Sequence, residues 1–185
     1  ANNDTSKGQD YTSVLVKKGE WEFSTHKTHS IQYEGATLQV NILGLDIVAA
    51  GTKRIKGEHG STIKFKSSMA AKRPDSYTDI QSFILGLHSG FKISDKGVFT
   101  YHTPRVNDIV IENVNVEVTG EAIYSTCFFG LDNLHGCTAL CTLSTIDETE
   151  NKNDGEHGFF VYAAGFVNCC SLFNCAGAAK VNPVP

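Results

Sequence analysis

The stretch GFFVYAAGFVNCCSLFNCAGAA, residues 158–179, carries no charged side chain and holds three of the chain's six cysteines. Its length meets the requirement for a membrane-crossing helix, about 20 apolar residues, but its content does not. Asn168, Ser171 and Asn174 sit near the middle, leucine occurs once, and only Lys180 follows, so a basic flank is missing. FFVYAAGFV reads instead as a strand, with aromatic and β-branched residues on both faces as in a central strand covered on two sides. In NCCSLFNCAGAA the cysteines stand beside Asn, Gly and Ala, residues suited to tight packing and turns. That half is expected to be a covalently tethered tail.

Outward from this stretch, period-two alternation dominates. Leu38, Val40 and Ile42 alternate with Thr37, Gln39 and Asn41; Ile63 and Phe65 with Lys64 and Lys66; Val114, Val116 and Val118 with Asn113, Asn115 and Glu117. Each pattern turns one face to a core and the other to water or a neighbour. YTSVLVK, WEFST, GVFTYH and AIYSTCFFG are further short strands, separated by Gly, Asn, Asp and Ser punctuation. Roughly eight to ten strands at this spacing predict an all-β fold, an antiparallel β-sandwich or jelly roll. One segment departs from the pattern. In PDSYTDIQSFILGLHSG, Tyr77, Ile80, Phe83, Ile84 and Leu87 fall at helical spacing after Pro74, so one short amphipathic helix is expected over about residues 75–88. GEHG occurs at Gly57–Gly60 and again at Gly155–Gly158, read as two similar turns, and no solenoid period shows.

The 185 residues are 41% hydrophobic, enough for one sizeable core, so residues 11–185 are expected to form a single domain behind a polar, flexible leader, residues 1–10. The chain opens on Ala1, which fits a mature form from which a leader has been removed. A net charge of −4 leaves no basic stripe to neutralise phosphates, which argues against nucleic acid. Only 19% of residues are charged, and a sparsely charged surface tolerates close neighbours, which favours self-association.

Cys127, Cys137, Cys141, Cys169, Cys170 and Cys175 all lie in the last third of the chain. An even number so grouped suits a disulfide framework in a secreted or cell-surface protein, with 15 connectivities open. A competing reading makes a metal site of His135, Cys137, Cys141 and the Cys169, Cys170, Cys175 group, but CC-x4-C supplies no second zinc knuckle; free buried thiols in a cytosolic protein are the third alternative. In the oxygen-rich loop TIDETENKNDGEHG, Asp147, Glu150 and Asp154 are the candidate ligands for a calcium ion, against a solvated hairpin loop as the plain alternative. Asn3-Asp4-Thr5 matches the N-glycosylation pattern. The His26/His29 pair and the two GEHG histidines, His59 and His157, read as turn residues, although each could serve in proton transfer. No nucleophile-elbow context or phosphate-cradling glycine loop appears, so an enzyme is not expected.

Two functional expectations follow. The first is an extracellular structural subunit that assembles into a filament, tube, coat or surface layer, with Tyr11, Val14 and Val16 adding a strand to another copy's sheet edge. The second is a secreted β-sandwich module that binds carbohydrate or another surface ligand, using calcium and aromatics among Trp21, Tyr33, Tyr77 and Tyr101. Trp21 and Phe23 share a strand face, which favours core packing for Trp21.

Overall fold

The computed structural model describes residues 12–24, 27–33, 36–47, 52–66, 81–88, 109–120, 124–144 and 162–182. Within these the chain is all-β. In order the strands are β1 (Thr12–Val16), β2 (Gly19–Phe23), β3 (Lys27–Tyr33), β4 (Ala36–Asp46), β5 (Thr52–Gly57), β6 (Ser61–Lys66), β7 (Gln81–His88), β8 (Val110–Glu112), β9 (Asn115–Gly120), β10 (Tyr124–Phe129), β11 (Leu134–His135), β12 (Thr138–Ser144), β13 (Tyr162–Val167), β14 (Leu172–Phe173) and β15 (Ala176–Asn182).

Consecutive strands do not pair as hairpins, with the exception of β3 and β4. The first sheet runs β1-β5-β8-β11-β14, the second β2-β6-β9-β12-β15, the third β3-β4-β7-β10-β13. Every pairing is parallel except that of β3 with β4. The chain therefore visits the three sheets in turn and returns one strand further along, a parallel β-solenoid of stacked three-sided coils. β1, β2 and β4 make the first coil; β5 to β7 the second; β8 to β10 the third; β11 to β13 the fourth; β14 and β15 begin a fifth.

This overturns the antiparallel sandwich or jelly roll. Alternation reports that one face of a strand is buried; it is silent on the direction of the neighbour. Val114, Val116 and Val118 do point into the core, as do Ile63 and Phe65. Their ladder partners, however, come from the coils before and after: Ile63 pairs with Val116, and Val116 with Ala139. The solenoid repeat stayed hidden because equivalent positions, Val14, Ile55, Ile111, Leu134 and Leu172, are unevenly spaced along the chain. Long insertions between some strands break the period.

The expected helix at 75–88 is likewise corrected. Residues 81–88 are β7, hydrogen-bonded between β4 and β10, and no helix occurs among the described residues. Leu85, Gly86, Leu87 and His88 are all buried, which gives the near-continuous apolar run of a strand covered on both faces. Such a run also satisfies a helical spacing by coincidence. No helix of the described residues is long and apolar enough to cross a membrane.

The corners are set by residues in the left-handed backbone region. Between the first and second sheets stand Asn113 (φ 54°), Gly136 (φ 63°) and Asn174 (φ 50°), one in each of three successive coils. Between the third and first sheets, Gly130 and Asn133 are matched one coil later by Asn168 and Ser171, all at positive φ. Asn is among the few non-glycine residues that occupy this region readily, so the asparagines serve as corner residues. The corners also hydrogen-bond from coil to coil, the Asn113 amide donating to the His135 carbonyl and the Gly136 amide to that of Phe173.

Candidate functional site: the open face of the last coil

The inward columns of the solenoid are dry through the second and third coils and through β11 and β12, and then meet solvent. Leu134, Cys137, Cys141 and Leu143 are completely buried. Their counterparts one coil later are Leu172, Cys175, Ala179 and Val181; Leu172 is 43% exposed and Val181 40%. The sequence of β14 and β15 is as apolar as that of the coil beneath, but no described strand packs above it. Among the described residues, β13, β14 and β15 each have a strand partner on one side only. Sheet edges are normally blunted by charge, proline or a bulge. β15, AGAAKVN, carries one charge, Lys180, and no proline.

The outer face of this coil is apolar too. Phe173 is 61% exposed, with its ring stacked on His135 of the coil beneath, centroids 5.3 Å apart and 8° from parallel. At the opposite end of the solenoid, Leu15 is 53% and Trp21 47% exposed. Trp21 continues the inward column of Ile63 with no described strand beyond it, and at this exposure the expected core packing is not realised; its indole Nε1 donates to the Lys17 carbonyl.

The six cysteines are all free thiols, none at bonding distance from another, and this overturns the disulfide framework. The residues expected to form a tethered tail are instead a corner, β14, a second corner and β15, held by ladder hydrogen bonds. Cys127, Cys137 and Cys141 sit in the core as small apolar side chains. Cys137 Sγ donates to the Ile111 carbonyl and Cys141 Sγ to that of Ser125. Cys169 Sγ donates to the carbonyl of Val167. Loss of solvation pushes the thiols of Cys137, Cys141 and Cys169 up to about 11 and raises that of Cys127 as well. A neutral thiol is neither a nucleophile nor a metal ligand. Cys170 donates to the buried carboxylate of Asp132 at 2.5 Å, tying the last corner to the one beneath it.

Among the described residues, no group of three or more His, Cys, Asp or Glu side chains could hold a metal ion. The sulfur-and-histidine site is therefore not assembled, His135 being occupied by the Phe173 ring. Asp147, Glu150 and Asp154, with Asn3, Tyr11, His26, Tyr77, Tyr101 and His157, lie outside the described residues, and His29 and Tyr33 fall on β3. His59 is exposed in its turn. There Glu58 accepts from the Lys18 amide and from Lys17 Nζ, which hold its carboxyl below the usual range. Val14 and Val16 lie on β1, which is already paired in register with β5 of its own chain, and Val16 is buried. Donation of β1 to another molecule would require that pairing to be undone. Sequence reasoning missed the exposed pair Leu15 and Phe173; the signal was a large apolar residue at an outward position of an alternating strand.

Comparison with protein-family models, with curated proteins and with solved structures finds no match to this chain.

Proposed function

We propose that this chain is a structural subunit that assembles through the ends of its solenoid into a filament, tube, coat or layer. The observation that carries the reading is the exposure of Leu172, Phe173 and Val181 on a coil whose strands, among the described residues, are paired on one side only. A solenoid end of this kind needs a polar cap or another molecule to stay in solution. Fully burying a leucine- or phenylalanine-sized side chain is worth about 1.5–3 kcal/mol, and each strand added along an edge supplies a row of backbone hydrogen bonds. No cluster of candidate metal ligands or reactive thiols on the described residues competes with this use of the surface.

Bridges between cysteines contribute nothing to such assembly, and β1 is engaged at home.

The test is sedimentation velocity over a wide concentration range, with electron microscopy of the concentrated sample. Species that grow with concentration, seen as particles elongated along one axis, support a building block. A monomer at every concentration overturns it.

A further inference from the structure

The two ends of the solenoid are not flat, and their steps are complementary. Among the described residues all three sheets have five strands, but the third is displaced by one coil relative to the others. At the first end β3 projects one strand beyond β1 and β2, because it pairs with the outer edge of β4. At the other end β14 and β15 project one strand beyond β13. Among the described residues the last coil thus has two sides, and the first end carries one additional strand on the remaining side.

Resting on the self-assembly reading above, we infer that a second copy of this chain docks head-to-tail, with its β3 filling the vacant third side beside β13 and its β1 and β2 extending β14 and β15. In this arrangement every sheet continues without a gap. β1 and β2 meet their neighbours in parallel, as throughout the molecule, and β3 meets β13 antiparallel, as it meets β4.

The side chains agree with the register. One outward column runs Leu15, Lys56, Glu112, His135, Phe173. Its two ends are the two most exposed large apolar residues of the described chain, and docking brings the next copy's Leu15 onto Phe173. In the second sheet, the column Trp21, Ile63, Val116, Ala139, Gly177 ends small and begins large, so the next Trp21 falls beside Gly177. Phe23 similarly follows Ala179. Charge is complementary as well: β2 presents Glu20 and Glu22, β15 presents Lys180, and the next Glu22 stands diagonally across from Lys180, within reach of long side chains. A head-to-tail contact of this type does not close on itself and generates an open fibre. Five strands at the spacing of hydrogen-bonded neighbours set an axial repeat of about 24 Å per subunit.

Two variants test the arrangement. Leu15→Asp blocks the first end and leaves the second intact; Phe173→Asp does the reverse. Both positions are exposed, so the fold is retained, which circular dichroism checks. The expected result is that the full chain polymerises with a rise of about 24 Å, each variant alone is monomeric, and an equimolar mixture gives a one-to-one heterodimer that grows no further. If Leu15→Asp alone dimerises, the contact is end-to-end between like ends and the inference is overturned. If the full chain polymerises and neither variant affects it, the contact lies elsewhere; the inference falls while the self-assembly reading stands. A monomeric full chain overturns both and assigns the open coil to a different occupant.

Discussion

Phe128 of β10 and Phe166 of β13 are ladder partners one coil apart, and their rings stack with centroids 5.2 Å apart and 9° from parallel. Above Phe166 lies Gly177, where an added Cβ would come within 2.8 Å of the ring. The stack therefore marks the passage from closed core to open end. Phe128 is fully buried, and Phe166 is partly exposed. Phe128→Ala is expected to cost about 3–5 kcal/mol of stability, the usual range for emptying a buried aromatic site. Phe166→Ala should cost distinctly less in the isolated subunit, because water already reaches one side. Urea unfolding of the two variants checks this; equal losses would mean that the fourth coil is as enclosed as the third.

The thiols offer a second check, independent of assembly. Cys127, Cys137 and Cys141 are completely buried and hold their protons well above neutral pH. In the native protein at pH 8 they should react with a thiol reagent only as fast as the fold opens. Cys170 and Cys175, which are partly exposed, should react first. After unfolding without reductant all six should be titratable. Mass spectrometry of the labelled peptides reads the order, and a protein with fewer than six titratable thiols would contradict the free cysteines.

How far the sequence shows all this depends on what each residue pattern reports. Alternation in Val114–Val118 and in Ile63–Phe65 located strands and their buried faces correctly, because burial acts on the side chain wherever the neighbouring strand comes from. Strand direction is decided by corners, and a corner such as Asn113 or Asn174 looks in the sequence like any asparagine turn. The three successive residues Asn113, Gly136 and Asn174 form a repeat only once the strands are superposed. β7 was misread because its apolar run, buried on both faces, fits a helical period as well as a strand. The cysteines were misread because buried thiols and bridged ones look alike in a chain whose core is lined with small residues. The open end was legible in one respect alone: β14 and β15 carry a single charge, Lys180, where an exposed edge is usually blunted by more.

The corner residues make a third prediction. Gly136 adopts φ 63°, and a Cβ there would approach Asn113 Oδ1 at 2.5 Å. Gly136→Val should therefore destabilise by about 2–4 kcal/mol, combining the left-handed penalty of about 1–2 kcal/mol with a clash against the coil beneath. Asn174→Gly, at the matching corner one coil on, should change stability by less than about 1 kcal/mol, since glycine tolerates the same backbone. Thermal unfolding of the pair separates a requirement for left-handed backbone from a requirement for glycine itself. Similar losses in both would show that the corners hold their shape by side-chain contacts instead.

The surface ion pairs set the response to pH. Glu112 accepts from Arg54 at 2.7 Å, and that hydrogen bond is the main reason its carboxyl lies below the usual 4.5. Glu58 is lowered first by the Lys18 amide and then by Lys17. A carboxyl whose pKa is lower folded than unfolded stabilises the fold above the unfolded value, and loses that contribution as pH falls through the folded value. Lys64 is raised, chiefly by its hydrogen bond to Glu20, so its contribution is complete below about 10.4 and is lost as pH climbs through its folded value. The thermal midpoint should therefore drop between pH 5 and pH 3, and again above pH 10. Because Arg54 and Glu112 are partly solvated, their share is well under about 1 kcal/mol and should shrink further in salt. In the Glu58→Gln, Glu112→Gln double variant the acid drop should be shallower and the alkaline one unchanged. Calorimetry across the pH range decides: an acid drop of the same depth in the double variant would place the sensitivity on other carboxylates.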